Sequence, residues 1–289
     1  LKMNLTNLLL LAFVIITWGY SWVLMKQALD FMMPLTFVAL RITVGGLFIL
    51  PLILRSGSFK FSNFFKMEYL VLGLLQTTAM FGFIIYGMKF VTAGKTAVVL
   101  YTMPVWTSFL LHFFLKERLS ARQWVGVVFG IIGILSILGW DTLIHQNRLI
   151  VLGECLILLA AVSWAVANIW IRVRLKSDNP TLLNGYQQLI GVVFLIVLAV
   201  STEGFFRVEW TYYSLYTILF TGIVASAVNF SAWFYLINKI DINITTYSSL
   251  LVPVFGLFFD WLILDTKLDI GLIIGGFFII LGIIKISRK

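Results

Sequence analysis

Residues 5–28 read LTNLLLLAFVIITWGYSWVLMKQA. One passage through the hydrocarbon core of a bilayer takes about 20 apolar residues, and the apolar core of a cleavable leader is only ~7–15 residues long. This run is therefore read as a true membrane span. Its polar residues are Thr6 and Asn7 at the start, Thr17 and Ser21 in the middle, and Lys26 and Gln27 at the end. The chain starts at Leu1 and has Met at position 3, so the native start is left open.

Similar runs recur along the whole sequence. They fall at 5–27, 35–54, 68–90, 94–115, 122–140, 150–172, 181–201, 213–236, 243–264 and 270–287. Only helices and closed barrels satisfy the backbone inside lipid. Runs this long, with no alternation of period two, reject the barrel. Composition agrees: of 289 residues, 61% are hydrophobic and 11% charged, and the mean hydropathy is +1.03. A soluble domain uses about 25% charged residues. The expectation is an all-α integral membrane protein of ten transmembrane helices.

The net charge of +9 does not point to nucleic acid, because the basic residues sit between apolar runs and form no stripe. Their placement sets orientation instead. With both termini cytoplasmic, the inner segments hold fourteen Lys and Arg against six in the outer ones, with Arg41 left inside a span. A multi-pass protein of the cell (inner) membrane is expected. Cys155 is the only cysteine, which excludes an internal disulfide, and within its apolar run it is read as a small buried hydrophobe. His112 and His145 lack ligand spacing, and there is no metal, phosphate-loop or nucleophile motif, so no cofactor is expected.

The chain also repeats itself. A shift of 146 places Trp18 on Trp164, Lys26 on Arg172, Pro34 on Pro180, Arg41 on Gln187 and Gly45 on Gly191. Further on, a shift of 149 places Tyr86 on Tyr235, Pro104 on Pro253, Gly126 on Gly275 and Gly133 on Gly282. Residues 1–145 and 146–289 thus form two five-helix units. Five is odd, so the second enters the membrane upside down. Inverted repeats of this kind recur in secondary transporters.

These residues resemble the drug/metabolite transporter superfamily, in particular its EamA group. The resemblance rests on Trp18-Gly19 with Lys26, on Pro34 with Arg41, and on Pro104 followed by Glu117-Arg118-Leu119-Ser120, Gln123, Gly126, Gly130 and Gly133. In the second half it rests on Gly153, Ala160-Ala161, Ser163-Trp164-Ala165, Pro253, Gly275 and Gly282. The acidic residue expected at the fourth-to-fifth linker is Glu117, whereas its repeat position holds Thr266, with Asp265 beside it. The site is therefore assigned to linker shape. The resemblance implies ten spans, cytoplasmic termini, and a central cavity lined mainly by spans 1, 3, 4, 6, 8 and 9. It also implies export of amino acids and related metabolites.

Polar groups inside hydrocarbon are costly and mark candidate sites. Arg41 has two readings: a counter-ion for a substrate carboxylate, or a structural group that snorkels or bonds to neighbouring backbone. Neutral Gln187 at its repeat position favours the structural one. Asp260, about a turn from the outer end of span 9, is a candidate for ion coupling. Glu68 and Glu154 start their spans and are read as interfacial, where a helix N-terminus favours negative charge.

The mid-span set is Trp18 and Ser21, Gln76, Tyr101, Trp164 and Asn168, Asn229 and Trp233, and Tyr247. Tryptophan favours the interfacial belts, so Trp18 and Trp164 at mid-span point to a cavity wall. For any single member, packing with polar interhelical contacts is the stronger reading; for the set, a substrate-binding cavity. Pro104 and Pro253 occupy equivalent positions and are candidate hinges. Gly126-x-x-x-Gly130 and Gly271-x-x-x-Gly275 allow close backbone approach, either within each unit or across a homodimer through spans 5 and 10.

The reading is a secondary transporter that exports amino acids or related small metabolites by alternating access of the two repeats around a central aromatic and polar cavity. Without a midplane carboxylate, facilitated transport or exchange is favoured over proton coupling. The alternatives are a lipid-modifying membrane enzyme and a non-transporting subunit or sensor.

Overall fold

The computed structural model describes residues 5–55, 59–116, 118–140, 147–175, 179–204, 207–239, 248, 251–268 and 270–287. Tyr247 and Glu117 lie outside the described residues. Helices dominate: α1 (Leu5–Ala28), α2 (Pro34–Arg55), α3 (Met67–Met88), α4 (Ala93–Leu115), α5 (Ala121–Trp140), α6 (Arg148–Arg174), α7 (Pro180–Glu203), α8 (Tyr212–Trp233), α9 (Leu251–Leu264) and α10 (Ile270–Ser287). Seven of these regions, in α1–α4 and α6–α8, are long and apolar enough to cross a membrane; those in α5, α9 and α10 are apolar but shorter.

Two of the long helices are not regular. Residues Gly73–Ala79 of α3 and Phe220–Val228 of α8 are π-helical. The wider turn disturbs the usual carbonyl pairing, and hydroxyls answer it: Thr78 donates to the Gly73 carbonyl and Ser226 to the Thr221 carbonyl, each five residues back. The helix α4 is broken at Tyr101–Thr102, and Met103–Leu115 starts afresh with Pro104 in its first turn. A proline lacks a donor and tolerates that place. Pro253 likewise sits in the first turn of the described part of α9.

Helices of the two halves interleave. The pairs α2 with α7 and α5 with α10 pack side by side, α1 lies on α8 and α9, and α6 lies on α3 and α4. Glycines set the closest approaches, and they do so in reciprocal pairs. A Cβ on Gly133 would lie 2.6 Å from the Gly275 oxygen, and one on Gly282 would lie 2.6 Å from the Gly126 oxygen. Likewise Gly45 meets the Gly222 carbonyl and Ser226, while Gly191 meets the Gly73 carbonyl and Thr77. Each contact becomes its partner under the shifts of 146 and 149. Here the Gly126 and Gly275 seam joins α5 to α10 of one chain, across the halves and not within either unit.

Two expectations need correction. Cys155 is exposed, so it faces outward from α6 and is not a core residue. Glu154 is fully buried and pairs with Lys95 at 3.5 Å, so a neighbouring helix covers it and it does not face water. A position near a helix start says nothing about which neighbour covers it.

Candidate functional site

The α1 helix carries Trp18, Ser21, Trp22 and Met25 on one stripe, at spacings of three and four residues that stack on one helix face. They line a chamber between the halves, closed by Arg41 of α2, Met80, Phe81 and Ile84 of α3, Leu100 and Tyr101 at the break in α4, Trp164 of α6, Phe230 of α8 and Val252 of α9. Its volume is about 60 Å³. Ligand pockets run to ~300–1,000 Å³. The chamber in this structure is therefore contracted: a solute larger than a few waters enters only if the helices part.

The wall is held by bonds between the halves. The Trp18 indole donates to the Ala225 carbonyl at 2.8 Å, within the π-helical stretch of α8. The Ser163 hydroxyl donates to the Leu75 carbonyl at 2.8 Å, within that of α3. Thus each irregular stretch offers a carbonyl to the opposite half. Trp18 packs on Phe230 and Trp233, with ring centroids 5.3 and 5.5 Å apart, and Tyr101 sits edge-on to Trp164 at 6.2 Å.

Arg41 is 3% exposed. Its Nε donates to the Thr221 carbonyl and the Ser226 hydroxyl, both at 3.1 Å, and one Nη approaches Met25 Sδ at 2.9 Å. The guanidinium lies 4.7 Å from the centre of the Phe81 ring. No carboxylate pairs with it among the described residues. A buried guanidinium without a counter-charge is expensive. Trp22, also on the chamber wall, has a buried indole N–H with no acceptor among the described residues. The chamber therefore offers one positive charge and a spare donor, set in aromatic walls.

Of the residues expected at the site, Trp18, Ser21, Tyr101, Trp164 and Arg41 meet at the chamber. Trp233 stands behind Trp18. Asn229 is fully buried and its Nδ2 donates to Thr17 Oγ1 at 2.9 Å, which ties α8 to α1. Asn168 donates to Met103 Sδ at 3.4 Å. Gln76 is buried away from the lining, and its Oε1 has no donor among the described residues. Pro104 adjoins the break that exposes Tyr101. Trp22, Met25 and Phe81 line the chamber too; as apolar residues in apolar runs they stand out from their neighbours by nothing but helical spacing from Trp18 and Ser21 in the case of Trp22 and Met25.

Asp260 is elsewhere. It is 1% exposed, its Oδ2 accepts the Gly94 N–H at 2.9 Å, and its Oδ1 accepts from Thr266 at 3.3 Å. It thereby caps the first turn of α4, where unpaired N–H groups favour a carboxylate. Glu203 does the same for α2, accepting from the Leu35 and Thr36 N–H groups at 2.8 Å. Lys26 donates to the Met88 carbonyl at the end of α3 and to the Val91 carbonyl just beyond it. With the Lys95–Glu154 pair, these charges gather at one end of the molecule, where Lys26, Asp30 and Asp260 line a cavity of about 250 Å³.

The model of the EamA-like transporter family matches twice, over residues 5–139 and 151–288. The uncharacterized transporter YoaV of Bacillus subtilis strain 168 is 34% identical over 272 residues, covering 93% of this chain and 92% of that one. A probable amino-acid metabolite efflux pump of Escherichia coli K12 is 27% identical, covering 93% and 91%. A crystal structure at 18% identity superposes with a TM-score of 0.68 over 97% of both chains, which shows the fold. The chain belongs to the EamA-like transporter family and is a multi-pass membrane transporter.

Proposed function

We propose that the protein carries carboxylate-bearing, partly apolar metabolites of the amino-acid kind outward through the chamber around Arg41. The frame is ten spans in the cell membrane with both termini cytoplasmic, in which units 1–145 and 146–289 are inverted copies that rock about the chamber. Three shorter apolar helices beside the seven long ones, and the reciprocal glycine contacts, support that frame. The observation that carries the substrate class is the buried guanidinium of Arg41, which pairs with no carboxylate among the described residues, on a wall shared with Trp22, whose indole N–H has no acceptor among them. A substrate carboxylate completes both, and charge-assisted bonds of this type are the strong ones. Trp18, Tyr101 and Trp164 then take the side chain, and their faces also attract an ammonium group. Trp18, Ser21, Tyr101 and Trp164 are thus the substrate contacts, with Gln76, Asn168, Asn229 and Trp233 supporting them. Pro104 and Pro253 mark where α4 and α9 bend as access switches. An efflux pump for amino-acid metabolites among the relatives is consistent with this direction and class.

A ligand that binds the folded state raises its apparent stability. Thermal unfolding of the purified protein with aromatic and aliphatic amino acids, their des-amino acids and their decarboxylated amines tests the class. The acids should stabilise and the amines should not. Equal shifts from the amines would overturn the role given to Arg41. Flux of the stabilising acid into liposomes then tests transport.

A further inference from the structure

In the first half, α4 and α5 pack closely because Gly130 leaves a notch for Val105; a Cβ there would lie 2.4 Å from Val105 Cγ2. The same register in the second half gives Val254 on α9 and Ile279 on α10. The notch is gone, and the Ile279 side chain is instead used against Gly133 of α5. The result is a cleft between α9 and α10, about 290 Å³ in volume, floored by Val98 and Tyr101 of α4 and walled by Pro253 and Gly276. No charged residue lines it among the described residues. Its rim, Val254 and Phe277, is 44% and 59% exposed and is continuous with the apolar outer surface of these helices.

We propose that this cleft is a binding site for one acyl chain of a bilayer lipid. Water finds no partners in an apolar cleft. An empty one forfeits dispersion contacts along its whole lining. In a membrane the group at hand is a lipid tail, which is as apolar as the Leu and Ile around it. The chain replaces the direct helix contact that the first half has, and its inner end rests on Tyr101. The other side of Tyr101 faces Trp164 in the central chamber. The seated tail therefore backs the chamber wall at the point where α4 is broken.

Vesicles of phosphatidylcholine carrying a diazirine at the end of one acyl chain, with the purified full chain reconstituted in them, give the test. After irradiation, mass spectrometry should find adducts on cleft residues such as Val254 and Pro253 at several times the level on Leu135, which is 63% exposed on α5. Gly276→Phe should plug the cleft from inside and cut that labelling at least severalfold. Val254→Trp, at the exposed rim, should do the same without disturbing buried packing. Cleft labelling no higher than at Leu135 means a common lipid shell only and overturns the proposal. So does labelling that neither plug reduces, or cross-linking of Val254→Cys between two copies of the chain with no lipid adduct.

Discussion

The two halves agree in their glycines and differ in their charges. Gly133 and Gly282, or Gly45 and Gly191, meet equivalent backbones across the molecule, so those contacts belong to the architecture. Arg41, Asp260 and Glu154 have no charged counterparts: the repeat register gives Gln187, Leu111 and Leu8. Gln187 is also buried, yet its Nε2 simply donates to Asn184 Oδ1, one turn back in its own helix. What the halves share holds the helices together, and what they do not share separates one end of the molecule from the other. The end bearing Lys26 is tied by Asp260 and Glu203 on helix N-termini and by the Lys95–Glu154 pair. At the opposite end, apolar Leu8 and Leu111 stand at the equivalent positions.

The largest effect should come from removing one side of the buried pair. Glu154→Leu copies the residue found at the equivalent position of the first half, but it removes the counter-charge that faces Lys95, which is 5% exposed. Breaking such a pair costs about 3–5 kcal/mol, whereas replacing both partners by apolar groups is often neutral. Thermal unfolding in detergent should drop sharply for Glu154→Leu and recover most of the way in Lys95→Met/Glu154→Leu. A tolerated single substitution would mean that the charges at this end are solvated and clamp nothing.

Next comes Arg41→Gln, which makes the first half match the second. Loss of a charge-assisted hydrogen bond is worth about 1.5–3 kcal/mol, or roughly 10- to 100-fold in affinity for a carboxylate substrate. Gln187→Met, away from the chamber, should leave affinity within about twofold, as distant sites do. Equal losses from the two would dissolve the contrast between the halves at this position.

The seam tests the agreement itself. Gly133→Val and Gly282→Val both force a side chain against a facing backbone, so each should destabilise by about 1–3 kcal/mol, and by equal amounts. Unequal unfolding midpoints would break the two-fold relation of α5 and α10.

How far all this was legible follows from the physics of each signal. Apolar run length reads directly as helices, because lipid permits little else. The register of Trp18 on Trp164 and of Pro34 on Pro180 was legible because rare residues at one shift are hard to produce otherwise. The partners of single residues were not. Asn229 read as a substrate contact, yet it bonds Thr17 across a helix interface, and nothing in the order of residues says which face of α8 meets α1. Glu154 read as interfacial because its place in the run is near the end, whereas burial depends on Lys95 from another helix. The π-helical stretches were invisible too, since Gly73–Ala79 and Phe220–Val228 have the apolar composition of ordinary helix, and the wider turn depends on partners such as Trp18 and Ser163 that approach from the other half.

The smallest effect belongs to Asp260→Asn, and it decides between two roles for the one carboxylate that α9 has and the matching part of α4 lacks. As a cap, Asp260 needs only an acceptor oxygen for the Gly94 N–H, and asparagine supplies one. Asparagine and aspartate are nearly equivalent at helix N-termini, so stability should fall by less than about 1 kcal/mol. As a proton carrier, Asp260 needs an ionisable group, and asparagine has none. Flux of a substrate acid into liposomes, with and without an imposed pH gradient, separates these roles. Unchanged flux under both conditions assigns Asp260 to holding α9 against α4. Loss of the gradient-driven part alone, with the unfolding midpoint unmoved, would make this end of the molecule the coupling site and not merely its clamp.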